Sequence, residues 1–409
     1  MSTGHRAGEP GYRRVCLALF AAGVASFASL YSTQAVLPEL AAAYGISTTR
    51  STLSLSLATG GLGVALLVAA VLGDRAGRTR LVKVSLLVSA VLGLACAAAP
   101  GWPALLGLRL AQGVALAGLP AVATAYLREE LDAGSHARAA GLYIGGTALG
   151  GMTGRLLSGW VAEAAGWRWA LAAVAVVALV CAGIVVVLLP ESRNFVPGGR
   201  RLRPAVTDPA LLALYAIAAC GMGAFVAVYN AIGFRLAAAP YGLDAAALGA
   251  IFLVYPAGSA SSAVAGRLAD RYGRRAVLPA GSLIFAAGIA LTLLGPLPWI
   301  IAGLAVMTAG FFWVHGVASG WVPVRAHAGG AGGAQAAALY YVAYYAGSSV
   351  FGSMAGLGWT AVAALALALV AVTGVLALTL AGTPSARPSR TPSTGTTRAP
   401  ASTAAGTRR

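Results

Sequence analysis

Long apolar runs alternate with short polar interruptions from Val15 to Ala381, and the runs have the length of a lipid crossing rather than of a strand. About 20 apolar residues in a helix span roughly 30 Å of hydrocarbon. On that measure the first half divides into Val15–Leu40, Leu53–Leu72, Leu81–Ala99, Ala104–Leu127, Ala139–Val161 and Trp169–Leu189. The second half divides into Ala210–Leu236, Ala245–Ala265, Ala276–Leu294, Pro298–Trp321, Ala334–Leu357 and Thr360–Ala381. The runs are too long and continuous for alternating barrel strands, and a lipid-facing backbone must satisfy its own hydrogen bonds. The pattern therefore predicts an all-α polytopic membrane protein of twelve transmembrane helices in two six-helix bundles, residues 15–189 and 210–381. A Pro- and Arg-rich connector, 190–209, joins them. Residues 1–14 form a cytoplasmic N-terminal segment, and 382–409 have the Ser/Thr/Pro/Arg composition of a disordered cytoplasmic tail.

Composition agrees with lipid as the solvent. With 59% hydrophobic and 10% charged residues, and a mean hydropathy of +0.81, the chain has too little polar surface to cover a water-soluble globule. Cys16, Cys96, Cys181 and Cys220 all lie inside apolar runs, so no disulfide framework or metal cluster is expected. The N-terminus lacks a small-residue cleavage pattern, and its apolar run is long enough to be a retained span.

Charge sets the expected direction. If the N-terminus is cytoplasmic, Arg6, Arg13, Arg14, Arg75, Arg78, Arg80, Lys83, Arg128, Arg138, the Arg193–Arg203 and Arg267–Arg275 stretches, Arg325 and the tail share that face. Only Arg50 and Arg168 fall outside. The positive-inside rule then accounts for a net charge of +17 without nucleic acid, and places both termini in the cytoplasm of a bacterial cell.

Two charged runs interrupt the apolar pattern most sharply: "LGDRAGRTR" at Leu72–Arg80 and "LADRYGRRAV" at Leu268–Val277, about 196 residues apart. Tyr44-Gly45 and Tyr241-Gly242 repeat at nearly the same offset, each just before a helix N-cap candidate, Ser47 or Asp244. Two landmarks at one offset indicate a duplicated six-helix unit, as in secondary transporters.

The hairpins resemble the signature of the major facilitator superfamily, Gly-x-x-x-Asp-Arg-x-Gly-Arg-Arg. The second meets it in full with Gly266, Asp270, Arg271, Gly273, Arg274 and Arg275. The first carries Asp74, Arg75, Gly77 and Arg78, with Ala70 and Thr79 as departures. "RLAQGVALAG" supplies Arg109, Gln112, Gly113 and Gly118, similar to the family's fourth-span pattern. Within the family, "LYSTQAVLPEL", "SLSLSLATG", "GGMTGRLLSGW" and "YYAGSSVFG" resemble the bacterial arabinose-efflux, YnfM-type permeases of the drug–proton antiporter branch. The fifth span departs from the antiporter signature: Gly146, Gly150, Gly151 and Gly154 are followed by Arg155, with no Pro. The resemblance implies that the first hairpin latches span eleven near Gly333, and the second latches span five near Ser135. Closed latches would favour the outward-open state.

Inside the membrane, ionisable groups are costly and turn toward a bundle interior. Arg109, Arg155 and Arg235 are each expected near the outer end of a span, lining one cavity; snorkelling to the interface is the competing reading. Glu39, after the polar run Ser29–Gln34, is the acidic residue expected closest to Arg109. It is the proton-coupling candidate, unless it only marks the interface. His315 is a second titratable group at membrane depth, or a packing residue. Tyr340 with Tyr344, and Tyr341 with Tyr345, repeat at four residues along span eleven; they read as a binding wall or as an aromatic belt.

The function these features support is secondary active transport: proton-coupled efflux of small organic molecules, neutral or anionic, by alternating access. The partners are the bilayer, protons and one small molecule, handled by a monomer, with the proton gradient and no cofactor as energy source. No nucleotide loop, nucleophile–base pair or metal cluster points to an enzyme. A symporter or facilitator importing a sugar or organic acid is the alternative, and a non-transporting sensor or scaffold a further one.

Overall fold

The computed structural model describes residues 4–194 and 203–382. The middle of the connector and nearly all of the tail lie outside them. The described chain is helical almost throughout, with a lone β-bridge between His5 and Leu131. Ten helical segments are long and apolar enough to cross a membrane. Helices α7 (His136–Ala165) and α15 (Gly333–Gly352) complete the twelve. These two are rich in Gly, Arg or Tyr for a physical reason. Each packs on its own repeat on one side and on the opposite repeat on another, α7 against α11 (Ala245–Ala250) and α15 against α3 (Thr48–Ala76), and so needs no apolar coat on every side.

Three spans differ from the expected continuous rods. Span one is α1 (Pro10–Tyr31), a break over Ser32–Val36, and α2 (Leu37–Tyr44). Span four is α5 (Trp102–Leu116) and α6 (Gly118–Glu130), and span eight is α11, a 3-10 turn at Ile251–Val254, and α12 (Tyr255–Tyr272). Pro38 and Pro256 occupy the first turns of α2 and α12, where a missing N–H costs nothing to the new helix but cannot extend the old one. The remaining elements are α4 (Arg78–Ala97), α8 (Trp167–Leu188), the short connector helix α9 (Arg203–Thr207), α10 (Pro209–Ala237), α13 (Arg274–Leu291), α14 (Leu297–Ala328) and α16 (Trp359–Gly382).

The duplication is visible in backbone detail. Gly45 and Gly242 share a left-handed φ of 59° and 57°, and Gly77 and Gly273 turn the two charged hairpins at 91° and 86°, conformations that side chains resist. Ser47 Oγ accepts from the Arg50 N–H at 3.3 Å, and Asp244 Oδ1 from Ala247 N–H at 2.7 Å, so both predicted caps form. In the first repeat Gly146, Gly150 and Gly154 seat α7 directly on the α1 backbone at Phe20, Val24 and Ala28. In the second, Gly347 seats α15 on the α10 backbone at Ala219.

The repeats meet at mid-depth and at the end opposite the charged hairpins, called here the far end. Ser349 Oγ donates to Ser56 O at 2.8 Å, Thr52 Oγ1 to Ser353 O at 3.4 Å, and Ala245 N–H to Glu163 Oε2 at 3.1 Å. Gly159 lies against Ala245 and Gly249, closing the far end between α7 and α11. At the hairpin end Asp208 caps α10 through the N–H groups of Ala210 and Leu211 and forms a two-point ion pair with Arg325, at 3.1 and 2.8 Å. Burial alone would raise the Asp208 carboxyl, but Arg325 and the two backbone donors outweigh it and hold it below its ordinary value.

Two predictions follow from this packing. Gly150→Val and Gly347→Val each lower stability by about 1–3 kcal/mol, since a Cβ would meet backbone that cannot yield, whereas Gly266→Ala, in open space, changes it by less than about 0.5 kcal/mol. Thermal unfolding in detergent measures both. The Asp208 contribution is fully present above about pH 4, the unfolded carboxylate range, and is lost as pH falls through the lower folded value. Acid titration of unfolding therefore shows a steeper loss for the parent chain than for Asp208→Asn, which is already weaker at neutral pH.

Candidate functional site

The break after α1 exists in a place where backbone and side-chain amides would otherwise be stranded in lipid, and a chain of hydrogen bonds takes them up. Arg155 Nε donates to Gln34 Oε1 at 2.6 Å, and Gln34 Nε2 donates to Asn230 Oδ1 at 2.7 Å. Asn230 Nδ2 then donates to Gly352 O at 2.8 Å, at the end of α15. All three side chains are buried. The chain starts on α7 in the first repeat and ends on α10 and α15 in the second, toward the far end. Gln34 and Asn230 are 196 residues apart, the same spacing as the hairpin aspartates. They are therefore equivalent positions of the two repeats bonding to each other, as residues on a two-fold axis do. Asn230 was not among the residues the sequence singled out, although the repeat offset from Gln34 points to it.

The guanidinium of Arg155 also lies 4.0 Å from the Tyr31 ring, 4.6 Å from Phe252 and 5.0 Å from Tyr255. Tyr31 belongs to the first repeat; Phe252 and Tyr255 belong to the second. Its Nη1 donates to Gly151 O at 2.6 Å, one turn back on α7.

The expectation that Arg109, Arg155 and Arg235 line one cavity is not met. Arg109 is wholly enclosed, donating to Ser54 O, Ser29 O, Leu30 O, Ser32 Oγ and Gln112 Oε1. Ser29 and Leu30 are last-turn carbonyls of α1; Ser29 O keeps only a long bond from the Ser32 N–H and one from Ser32 Oγ, and Arg109 takes up both carbonyls as a C-cap for α1. Gln112 holds it from behind while donating to Ser89 O at 3.0 Å. Arg235 plays the same part for α13, donating to Thr292 O and Leu294 O. It borders a separate far-end cavity of about 440 Å³, with Tyr241, Trp359 and Thr48. Arg168 caps α4 likewise, at Ala97 O and Ala99 O. Glu39 does not meet Arg109, whose acceptors are all carbonyl, hydroxyl or amide oxygens. It lies half-buried on α2, within electrostatic range of Glu163 on α7.

The span-eleven tyrosines and His315 come together. His315 Nδ1 is 3.0 Å from the Tyr340 hydroxyl, and its ring centroid is 4.9 Å from that of Tyr344. Tyr341 and Tyr345 continue the cluster. Tyr345 packs against Gly63 of α3, so the cluster abuts both repeats.

At the hairpins, Asp74 pairs with Arg78 of its own turn at 3.6 Å, and Arg78 pairs with Glu129 at 2.8 Å. Glu130 accepts from Arg193 N–H at 2.7 Å and Asn194 N–H at 2.9 Å, fixing the start of the connector, which Lys83 also holds through Glu191. Glu129 and Glu130 were missed in the sequence, where an acidic pair closing span four was the available signal. In the second hairpin Asp270, Arg271, Arg274 and Gly266 are at the exposed end of α12 and the start of α13, with Arg271 over the Tyr272 ring at 5.1 Å; Arg275 follows them. α7 and α15 begin at His136 and Gly333, the expected latch positions.

Removing either amide of the axial pair strands its partner and loosens Arg155. Gln34→Ala and Asn230→Ala are each expected to cost about 1–3 kcal/mol. A double-mutant cycle by thermal unfolding is expected to give a coupling of about 1 kcal/mol; additive losses would show the two amides to be energetically independent.

The chain matches the model of the Major Facilitator Superfamily over residues 19–350. It is 41% identical over 363 residues to the uncharacterized MFS-type transporter YybF of Bacillus subtilis (strain 168), covering 87% of this chain and 89% of that one. It is 38% identical over 383 residues to the inner membrane transport protein YnfM of Escherichia coli (strain K12), covering 90% of each. In three dimensions it is similar to a bacterial homologue of the human lysosomal transporter Spinster, solved in an inward-facing, unoccupied conformation, with a TM-score of 0.71 at 16% identity over 91% of this chain and 96% of that one. A helical bundle doubled at one offset, its halves meeting on a polar axis, thus coincides with family likeness along most of the sequence: the chain is a multi-pass membrane transporter of the Major Facilitator Superfamily, and not an enzyme.

Proposed function

We propose that this transporter exports small neutral or anionic organic molecules in exchange for protons, by alternating access across the bacterial cytoplasmic membrane, as a monomer with the hairpin end cytoplasmic. The observation that carries the reading is the asymmetry between the two ends. The far end is joined by contacts of α3 with the 3-10 turn Ser353–Leu357 and of α7 with α11, including Thr52 to Ser353. At the hairpin end Asp74 turns back on its own Arg78. This is the inward-facing half of a cycle. In the other half, Asp74 would leave Arg78 to face the positive N-terminal end of α15, while Asp270 faces α7. Export is supported by the resemblance of the first, second and eleventh spans to the YnfM-type permeases of the drug–proton antiporter branch, and by the aromatic cluster of His315, Tyr341, Tyr344 and Tyr345.

Glu39 supplies the proton site. It sits on the short helix beyond the α1 break, beside Glu163 at the α7–α11 seal, so that opening the far end changes its surroundings.

Reconstituted vesicles with an imposed pH gradient test the scheme by direction of flux. Protons entering are expected to drive substrate out; co-directional movement identifies a symporter instead. Asp74→Asn is expected to slow flux about tenfold or more with insertion unchanged, and unaltered flux removes the latch. Glu39→Gln is expected to abolish gradient-driven flux while leaving substrate exchange, and full proton-driven activity removes Glu39 from the mechanism.

A further inference from the structure

Arg155 differs from Arg109 and Arg235, the other two arginines within the spans, in what its edge touches. Arg109 has acceptors on Nε, Nη1 and Nη2, and Arg235 has them on both terminal nitrogens. Arg155 uses Nε on Gln34 and Nη1 on Gly151, and Nη2 has no protein acceptor among the described residues. The residue is 2% exposed. No carboxylate forms an ion pair with it among the described residues; its neighbours are amide, carbonyl and ring faces. An enclosed cation with no counter-charge is costly, and the free edge of a guanidinium is shaped for the two oxygens of a carboxylate. The rings beside it extend as a surface: from Tyr255 they run through Phe225 and Phe311 to Tyr344, successive centroids 6.1, 4.1 and 6.3 Å apart.

We propose that the free Nη2 edge of Arg155 anchors the carboxylate of an aromatic monocarboxylate, whose ring lies against Tyr31 and the rings that lead from Tyr255 toward Tyr344. This rests on the transport reading and names its substrate class. One free cationic edge suits one negative charge, because Arg109 and Arg235 are already spent on helix ends. The site also links binding to movement. Phe252 and Tyr255 of the second repeat cover the same guanidinium, so an anion reaching it competes with the contact that holds the far end closed.

Thermal unfolding of the purified full chain in detergent tests this with benzoate, its neutral isostere benzamide, and inorganic phosphate as probes. Benzoate is expected to raise Tm with an apparent Kd about tenfold or more below that of benzamide, the factor for one charge-assisted hydrogen bond. Phosphate is expected to give a smaller shift than benzoate. Arg155→Gln is expected to erase the preference, and exposed Arg50→Gln to keep it. Should Arg155→Gln fail to fold, Arg155→Lys is expected to retain binding with the benzoate-to-benzamide ratio reduced at least threefold. Equal shifts from benzoate and benzamide, a phosphate shift matching benzoate, or an unchanged ratio in either Arg155 variant would overturn the proposal. Benzoate binding without gradient-driven export would defeat the export reading alone. Export of neutral compounds by a chain indifferent to benzoate would defeat this inference alone.

Discussion

A guanidinium inside a lipid-embedded bundle has no water to turn to, so its acceptors must come from the protein, and that constraint decides where helices in this chain can stop. Arg109, Arg168 and Arg235 each collect the last carbonyls of a neighbouring helix at the far end. Broken or ended helices are thereby tolerated at membrane depth. The α1 break in turn puts Gln34 beside Asn230. The contact between the repeats at Gln34 and Asn230 therefore depends on Arg109 holding the end of α1.

The axial pair has consequences for motion. The repeats are related by an axis along the membrane normal, so alternating access tilts them about a line that crosses that axis at their contact; two equivalent residues bonded there stay close during the tilt, while groups farther away part or meet. Helix pairs within each repeat are fixed by glycines set against backbone, as at Gly150 and Gly347, and so move as units. Between the repeats, close packing at Gly159 and Gly63 is joined by single hydrogen bonds and ring contacts, which are cheap to exchange. Rigid halves and exchangeable seams are what alternating access requires of a structure.

The sequence made the architecture legible because lipid imposes it through length and apolarity alone. The caps Ser47 and Asp244 and the positive-φ turns at Gly77 and Gly273 were readable for the same local reason. The site was less so. Arg109, Arg155 and Arg235 look alike as intramembrane charges, and only three-dimensional placement shows that two are helix caps and one has a free edge. The Glu39–Arg109 pairing was inferred from nearness along the spans, but the break turns α2 away and brings Glu39 toward Glu163. His315 and the tyrosines were singled out separately, and their meeting depends on how α14 packs on α15.

The central claim is that the two repeats rock as rigid units about Gln34–Asn230. Spin-label distances in proteoliposomes test it most directly, with one label pair at the far end, on exposed Arg50 and Leu357, and another at the hairpin end, on exposed Arg80 and His327, in a chain whose four cysteines are replaced. The account predicts that conditions lengthening the far-end distance shorten the hairpin-end distance in the same population. Distances that lengthen together, or a hairpin end that stays fixed while the far end opens, would contradict it.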